Sequence, residues 1–184
     1  MSILKIARMG HPVLTQAASP VVDPTAPELR QLFSDMVDTM LDAAGTGLAA
    51  PQVHESLRMV IYFVKAGRGR GPVEKDVPLT VLINPEITPL GDELVYDWEG
   101  CLSVPGLTGL VPRWQEIHLK ALNLEGDPID MVLDGFHARV VQHECDHLDG
   151  ILYPSRMDDL SLLMFSDEMR HGMPERAKVL MGEE

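Results

Sequence analysis

The run Gln142-His143-Glu144-Cys145-Asp146-His147 decides how this chain is read. Two histidines four residues apart share one face of a helix, with Cβ atoms about 5 to 6 Å apart, so both imidazoles can reach one metal ion. Glu144 points to the side of that face, where its carboxylate can take a proton from water. The flanking residues agree with a helix. Asp134 stands where a capping residue belongs, the pattern runs from Gly135 to Leu148, and Gly150 and Pro154 are placed to stop it. Cys145 falls on the opposite flank from the histidines and reads as packing.

Upstream of this helix, Glu116 to Leu122 alternate apolar and polar residues, turn at Glu125-Gly126-Asp127, and resume from Ile129 to Leu133 as a hairpin partner. Leu57 to Val64 reads as a buried strand, followed by a Gly, Pro and charge-rich loop from Lys65 to Pro78. Val81 to Asn84 and Leu94 to Tyr96 are further short strands. Thr25-Ala26-Pro27-Glu28 has the form of a capping box. Behind it Leu29, Leu32, Phe33, Met36, Val37, Met40 and Leu41 mark an amphipathic helix ending near Gly45. A last helix is expected over Asp158 to Arg170. The order predicts an α+β fold in one domain, residues 1 to 184: antiparallel strands packed around a central HExxH metal-binding helix, with an N-terminal amphipathic helix and a C-terminal helix.

With 184 residues the chain can bury roughly 70% of the surface its unfolded form exposes. A formal charge of -13 repels a phosphate backbone, which sets free nucleic acid aside as a partner. No apolar run is long enough to cross a bilayer. Two cysteines, Cys101 and Cys145, make no disulfide framework, and no cleavable leader opens the sequence, so a cytoplasmic location is expected.

A catalytic metal site takes three protein ligands and keeps one position open. The third ligand must come from elsewhere: His11, His54, His118, His137, His171, an acidic residue or a cysteine. Cys101 stands out by its setting in Trp98-Glu99-Gly100-Cys101-Leu102-Ser103, a tight Gly-containing turn between apolar segments. A third segment, Gly45 to Gln52 (GTGLAAPQ), carries two close glycines that let a backbone pass near a ligand, and a glutamine able to donate to a carbonyl oxygen. Taken alone, it reads as a helix end and a turn.

Together the three segments resemble the signature of the peptide deformylase family: GxGxAAPQ, then EGCLS, then QHExDH, here Gly45 to Gln52, Glu99 to Ser103 and Gln142 to His147. The resemblance extends from about Ala7 to Tyr153. It implies that Cys101, His143 and His147 are metal ligands, that Glu144 is the general base and acid, and that Gln52 and the Leu102 backbone N–H stabilise an oxyanion. It further implies that Gly45 and Gly47 lie along an extended substrate. The family removes formate from the N-formylmethionine of nascent proteins at ribosomes, usually with one Fe(II) per chain. Zinc, nickel or cobalt can replace the oxidisable ferrous ion in purified protein.

Helix geometry puts Phe136 and Val140 on the stripe of His143, and Trp98 and Leu102 flank the cysteine turn, so these four are expected to line an apolar pocket for the methionine side chain. The chain departs from many bacterial members in carrying Thr108 where an arginine aligns. Arg113 remains, placed to pair with Glu99 and brace the cysteine turn. Two rivals to this reading are an HExxH peptidase that cuts internal amide bonds, against which Cys101 in its EGCLS turn speaks, and a catalytically silent binder of nascent chains, against which the intact Glu144 speaks.

Overall fold

The computed structural model describes residues 2–67 and 76–182. Its helices are α1 (Pro27–Asp42), α2 (Gly135–Leu148) and α3 (Glu175–Met181). Its strands are β1 (Gly47–Ala49), β2 (Met59–Val64), β3 (Val77–Pro89), β4 (Leu94–Cys101), β5 (Val104–Trp114), β6 (Glu116–Leu122), β7 (Pro128–Asp134) and β8 (Met164–Phe165). They form a five-stranded sheet in the order β1-β2-β3-β6-β7 and a three-stranded sheet in the order β4-β5-β8, with every pairing antiparallel. Mixed helix and antiparallel sheet is what the sequence led us to expect. Helix α2 contacts strands of both sheets. Among the described residues no helix is long and apolar enough to cross a membrane.

Strand β2 shows why the larger sheet sits in the interior. Its alternate residues Val60, Tyr62 and Val64 pack with Val141, Cys145 and Leu148 of α2, while Met59 and Ile61 pack with Met36 and Met40 of α1. A strand buried on both faces needs a continuous apolar run, which is how Met59 to Val64 reads. Cys145 is part of this core, and burial raises its thiol pKa far above the ordinary range. Helix α2 ends in a Schellman motif: Ile151 N–H donates to Asp146 O at 2.9 Å and Gly150 N–H to His147 O at 3.3 Å, with Gly150 at φ +71.

Four expectations need correction. The capping box at Thr25 does not form. Asp23 accepts both the N–H and the hydroxyl of Thr25, and Ala26 becomes the residue before Pro27 with no side-chain cap. Asp134 does precede α2, but its carboxylate makes no cap bond. The strands around Val81 and Leu94 are longer than their apolar cores, and β5 was not foreseen because Pro105, Gly106, Gly109 and Pro112 break its alternation. Finally, Asp158 to Arg170 is not an α-helix. Asp159 turns the chain by accepting from Ser161 N–H, Met164 and Phe165 join β5 as an edge strand, and the C-terminal helix begins only at Glu175. Much of the loop expected over Lys65 to Pro78 lies outside the described residues, and Val77 already belongs to β3.

Candidate metal centre and substrate cleft

Three segments distant in sequence supply the site. Helix α2 presents His143 and His147, whose rings meet edge to face with centroids 5.0 Å apart. Strand β4 ends at Cys101, where the β4–β5 register shifts and the chain turns back. One ligand atom from each of Cys101, His143 and His147 lies within 4.8 Å of the others. The Cys101 Sγ stands 3.4 Å from His147 Nε2. One sulfur and two imidazole nitrogens on a common centre fit a divalent transition metal. None of the other five histidines joins them.

The third segment brackets this centre. Gln52 accepts from Ala49 N–H through Oε1 at 2.8 Å, which aims its Nε2 at Cys101 Sγ (3.5 Å) and Ser103 Oγ (3.1 Å). Gly47 runs against Glu144 so closely that a Cβ there would lie 2.8 Å from the Glu144 Cγ and nearer still to its carboxylate. Glu144 is buried, and its Oε2 has no hydrogen-bond partner in the described chain. Burial, helped by the charge of Glu99 and opposed by His143 and Arg113, pushes its pKa up to about 7.

Behind the candidate ligands lies a buried ionic network. Glu99 accepts from Arg113 through both oxygens at 2.9 Å, from Arg139 at 2.8 Å, and faces His143 Nδ1 at 2.8 Å. Burial alone would raise the Glu99 carboxyl, but the Arg113 charge and the hydrogen bonds from His143 and Arg113 outweigh it and hold it well below the usual range. With its Nδ1–H given to Glu99, His143 keeps Nε2 as a lone-pair donor, the usual arrangement behind a ligating imidazole. Asp146 extends the network by accepting from Arg113 and, through both oxygens, from Arg156. The pairing of Arg113 with Glu99 follows the sequence reading. Arg139 and Asp146 were not anticipated, although Arg139 stands four residues before His143 on the same helix face. Thr108 is buried, and its hydroxyl donates to the Glu99 carbonyl at 3.0 Å.

A cleft of about 520 Å³ opens above this centre. Gly45, Gly47, Gln52, Leu102, His143 and Glu144 line it, and so do all four residues assigned to the apolar pocket, since Trp98, Phe136 and Val140 join Leu102 in its wall. Phe136 and Val140 also pack into the α2 core, so they serve both purposes. Ser166, from the segment after β8, completes the rim and was not foreseen. A cavity of similar size, about 550 Å³, lies on the far side of α2 around Trp114 and Arg58 and includes none of the three ligand residues.

Comparison with known proteins agrees with this architecture. The model of the family described as polypeptide deformylase matches residues 3–162. Peptide deformylase 1 of Nitrosomonas europaea is 49% identical over 170 residues, covering 92% of this chain and 96% of its own. Peptide deformylase 1 of Bordetella pertussis is 49% identical over 162 residues, 88% of this chain and 92% of its own. The class I type b peptide deformylase from Acinetobacter baumannii, solved with Met-Ala-Ser bound, superposes with a TM-score of 0.77 at 40% identity, covering 85% of this chain and all of that one. A peptide deformylase from Synechococcus elongatus in complex with actinonin gives a TM-score of 0.78 at 34% identity, over 96% of this chain and 90% of that one. With the same three segments converging on one cleft, this chain belongs to the polypeptide deformylase family.

Proposed function

We infer that the protein is a metal-dependent peptide deformylase, a hydrolase that takes the formyl group off the N-terminal formylmethionine of nascent proteins and releases formate. The observation that carries this reading is the meeting of Cys101, His143 and His147 at one point beneath a cleft that Cys101 and His143 line, with Glu144 buried beside them. Three protein ligands leave a coordination position open. A divalent cation held there supplies Lewis acidity, polarising a carbonyl oxygen and bringing the ionisation of water near neutral pH. We assign one ion per chain, Fe(II) in the cell, with zinc, nickel or cobalt able to take its place in purified protein, because one thiolate and two imidazoles suit all four.

Glu144 is the base and then the acid: it takes a proton from the attacking water and hands it to the departing amine. A carboxyl with its pKa near 7 suits both tasks at working pH. Gln52 Nε2 and the Leu102 N–H donate to the oxygen of the formyl group as it gains negative charge. The Gln52 bond from Ala49 supports this role, since it fixes the amide before substrate arrives. Gly45 and Gly47 leave room for an extended peptide backbone, and Trp98, Leu102, Phe136 and Val140 enclose the methionine side chain. A flexible thioether fills an irregular apolar pocket of this kind. The substrates are formylated nascent peptides met at ribosomes in the cytoplasm, handled by one domain spanning residues 1 to 184.

The test is formate release from formyl-Met-Ala by freshly made, oxygen-protected protein. Glu144→Gln should keep its metal and lose nearly all turnover. Cys101→Ala should lose both, and Cys145→Ala should retain both. Absence of formate release by the unaltered protein, or an undiminished rate in Glu144→Gln, overturns the reading.

A further inference from the structure

Residues 163–182 lie past the end of the family match at 162, yet they reach the cleft directly through Ser166 and indirectly through Trp98. Strand β8 pairs with β5 at Leu107↔Phe165 and Thr108↔Met164, which brings Ser166 to the rim. Helix α3 packs from behind. Its Ala177 is fully buried with Leu110 and Leu162, and Trp98, Leu180 and Met181 pack against this cluster. Trp98 therefore has two environments: it lines the cleft, and it rests on the hydrophobic cluster that α3 completes.

A seven-residue helix is not stable alone in water, so α3 exists because of what it packs against. The dependence also runs the other way. An indole projecting from a strand holds one orientation only when its outer side is filled, and the cleft is open on its inner side. The atoms that fill the outer side include flexible methionine and leucine side chains that conform to the ring.

We propose that the C-terminal segment from Met164 to Met181 is a specificity element of this enzyme: Ala177 and Leu180 of α3 are positioning residues that hold Trp98 as a fixed wall of the methionine pocket. This proposal rests on the deformylase reading and adds to it the source of the pocket's shape. A wall held in place rewards a side chain that fills the pocket, whereas a loose wall treats methionine and alanine more nearly alike.

The chain has two tryptophans, Trp98 and Trp114, so labelling with 5-fluorotryptophan gives one ¹⁹F resonance in the cleft wall and one reference outside the cleft lining. In the metal-loaded enzyme, Ala177→Glu should shift the Trp98 resonance, leave that of Trp114 in place, and lower the kcat/KM ratio of formyl-Met-Ala to formyl-Ala-Ala about tenfold, mainly through KM. Leu180→Ala, a milder change that keeps the helix apolar, should act in the same direction by about threefold. Val179→Glu, on the solvent side of α3 at 70% exposure, should move neither quantity. The proposal falls if the Trp98 resonance stays in place in both inward-facing variants, or if it moves while the substrate ratio is kept. Failure of the deformylase reading is separate: there the unaltered enzyme would release formate from neither peptide.

Discussion

A methyl group at position 47 would collide with the Glu144 carboxylate, the proposed proton carrier. The backbone conformation at Gly47 is open to any residue, so Gly47→Ala tests proximity rather than flexibility. We expect it to bind metal normally and to lose about 10²-fold in kcat, the scale of a misplaced catalytic group, read as formate release against metal content. Arg113 makes the opposite case, a residue outside the cleft lining that supports the proposed ligand His143 through Glu99. Arg113→Met leaves Glu99 and Asp146 buried without their shared partner, and breaking such a pair costs about 3–5 kcal/mol, measurable by urea unfolding. The two residues also differ in how far they could be read from sequence. His143, His147 and Glu144 are legible because one helix carries their spacing, and Arg113 because a lone arginine follows the cysteine turn. Arg139 and Asp146 contribute as much to Glu99 and Arg113, but partners 40 and 33 residues away give no local pattern.

Among the elements, α2 was legible to the residue because hydrophobic period, stop signal and motif agree along it. The segment after Tyr153 was misread because apolar residues at Leu160, Leu163 and Met164 mimic a helical stripe, while the free edge of β5 drew Met164 and Phe165 into a strand. Helix α2 also carries a titration prediction. His137, in its first turn, is hydrogen-bonded with the Tyr62 hydroxyl at 2.9 Å, and burial lowers its pKa, partly offset by Asp134. A histidine with a lowered folded pKa binds its proton more readily when unfolded. Its contribution to stability is therefore complete above about pH 6.5 and declines as the pH falls through that value toward the folded pKa. His137→Gln, which keeps a polar partner for Tyr62, should flatten the fall in Tm between pH 7 and pH 5 relative to the unaltered chain. An unchanged pH slope would show that other groups carry the loss.

For the whole molecule, the class of fold could be read from the order of elements, and the strand pairing could not. The two sheets are separate hydrogen-bonded ladders, each touching α2, and no residue pattern announces that β4 and β5 leave the larger sheet. The candidate ligands join β4 of the smaller sheet to α2, which has a thermodynamic consequence. Anything that binds the folded chain and not the unfolded one stabilises it by mass action, so chelation should lower Tm by several degrees and added metal should restore it, while Cys101→Ala should start low and respond to neither. Calorimetry with and without chelator checks this. Cys101 and His147 are 46 residues apart in the chain and come from different supersecondary units. A shared ion between them is topologically a cross-link that closes a long loop. That loop is already closed in the folded chain, whereas the unfolded chain would have to close it to hold the ion, at about 4 kcal/mol by the chain-entropy relation for that span, so the fold pre-forms a site that the open chain holds far more weakly.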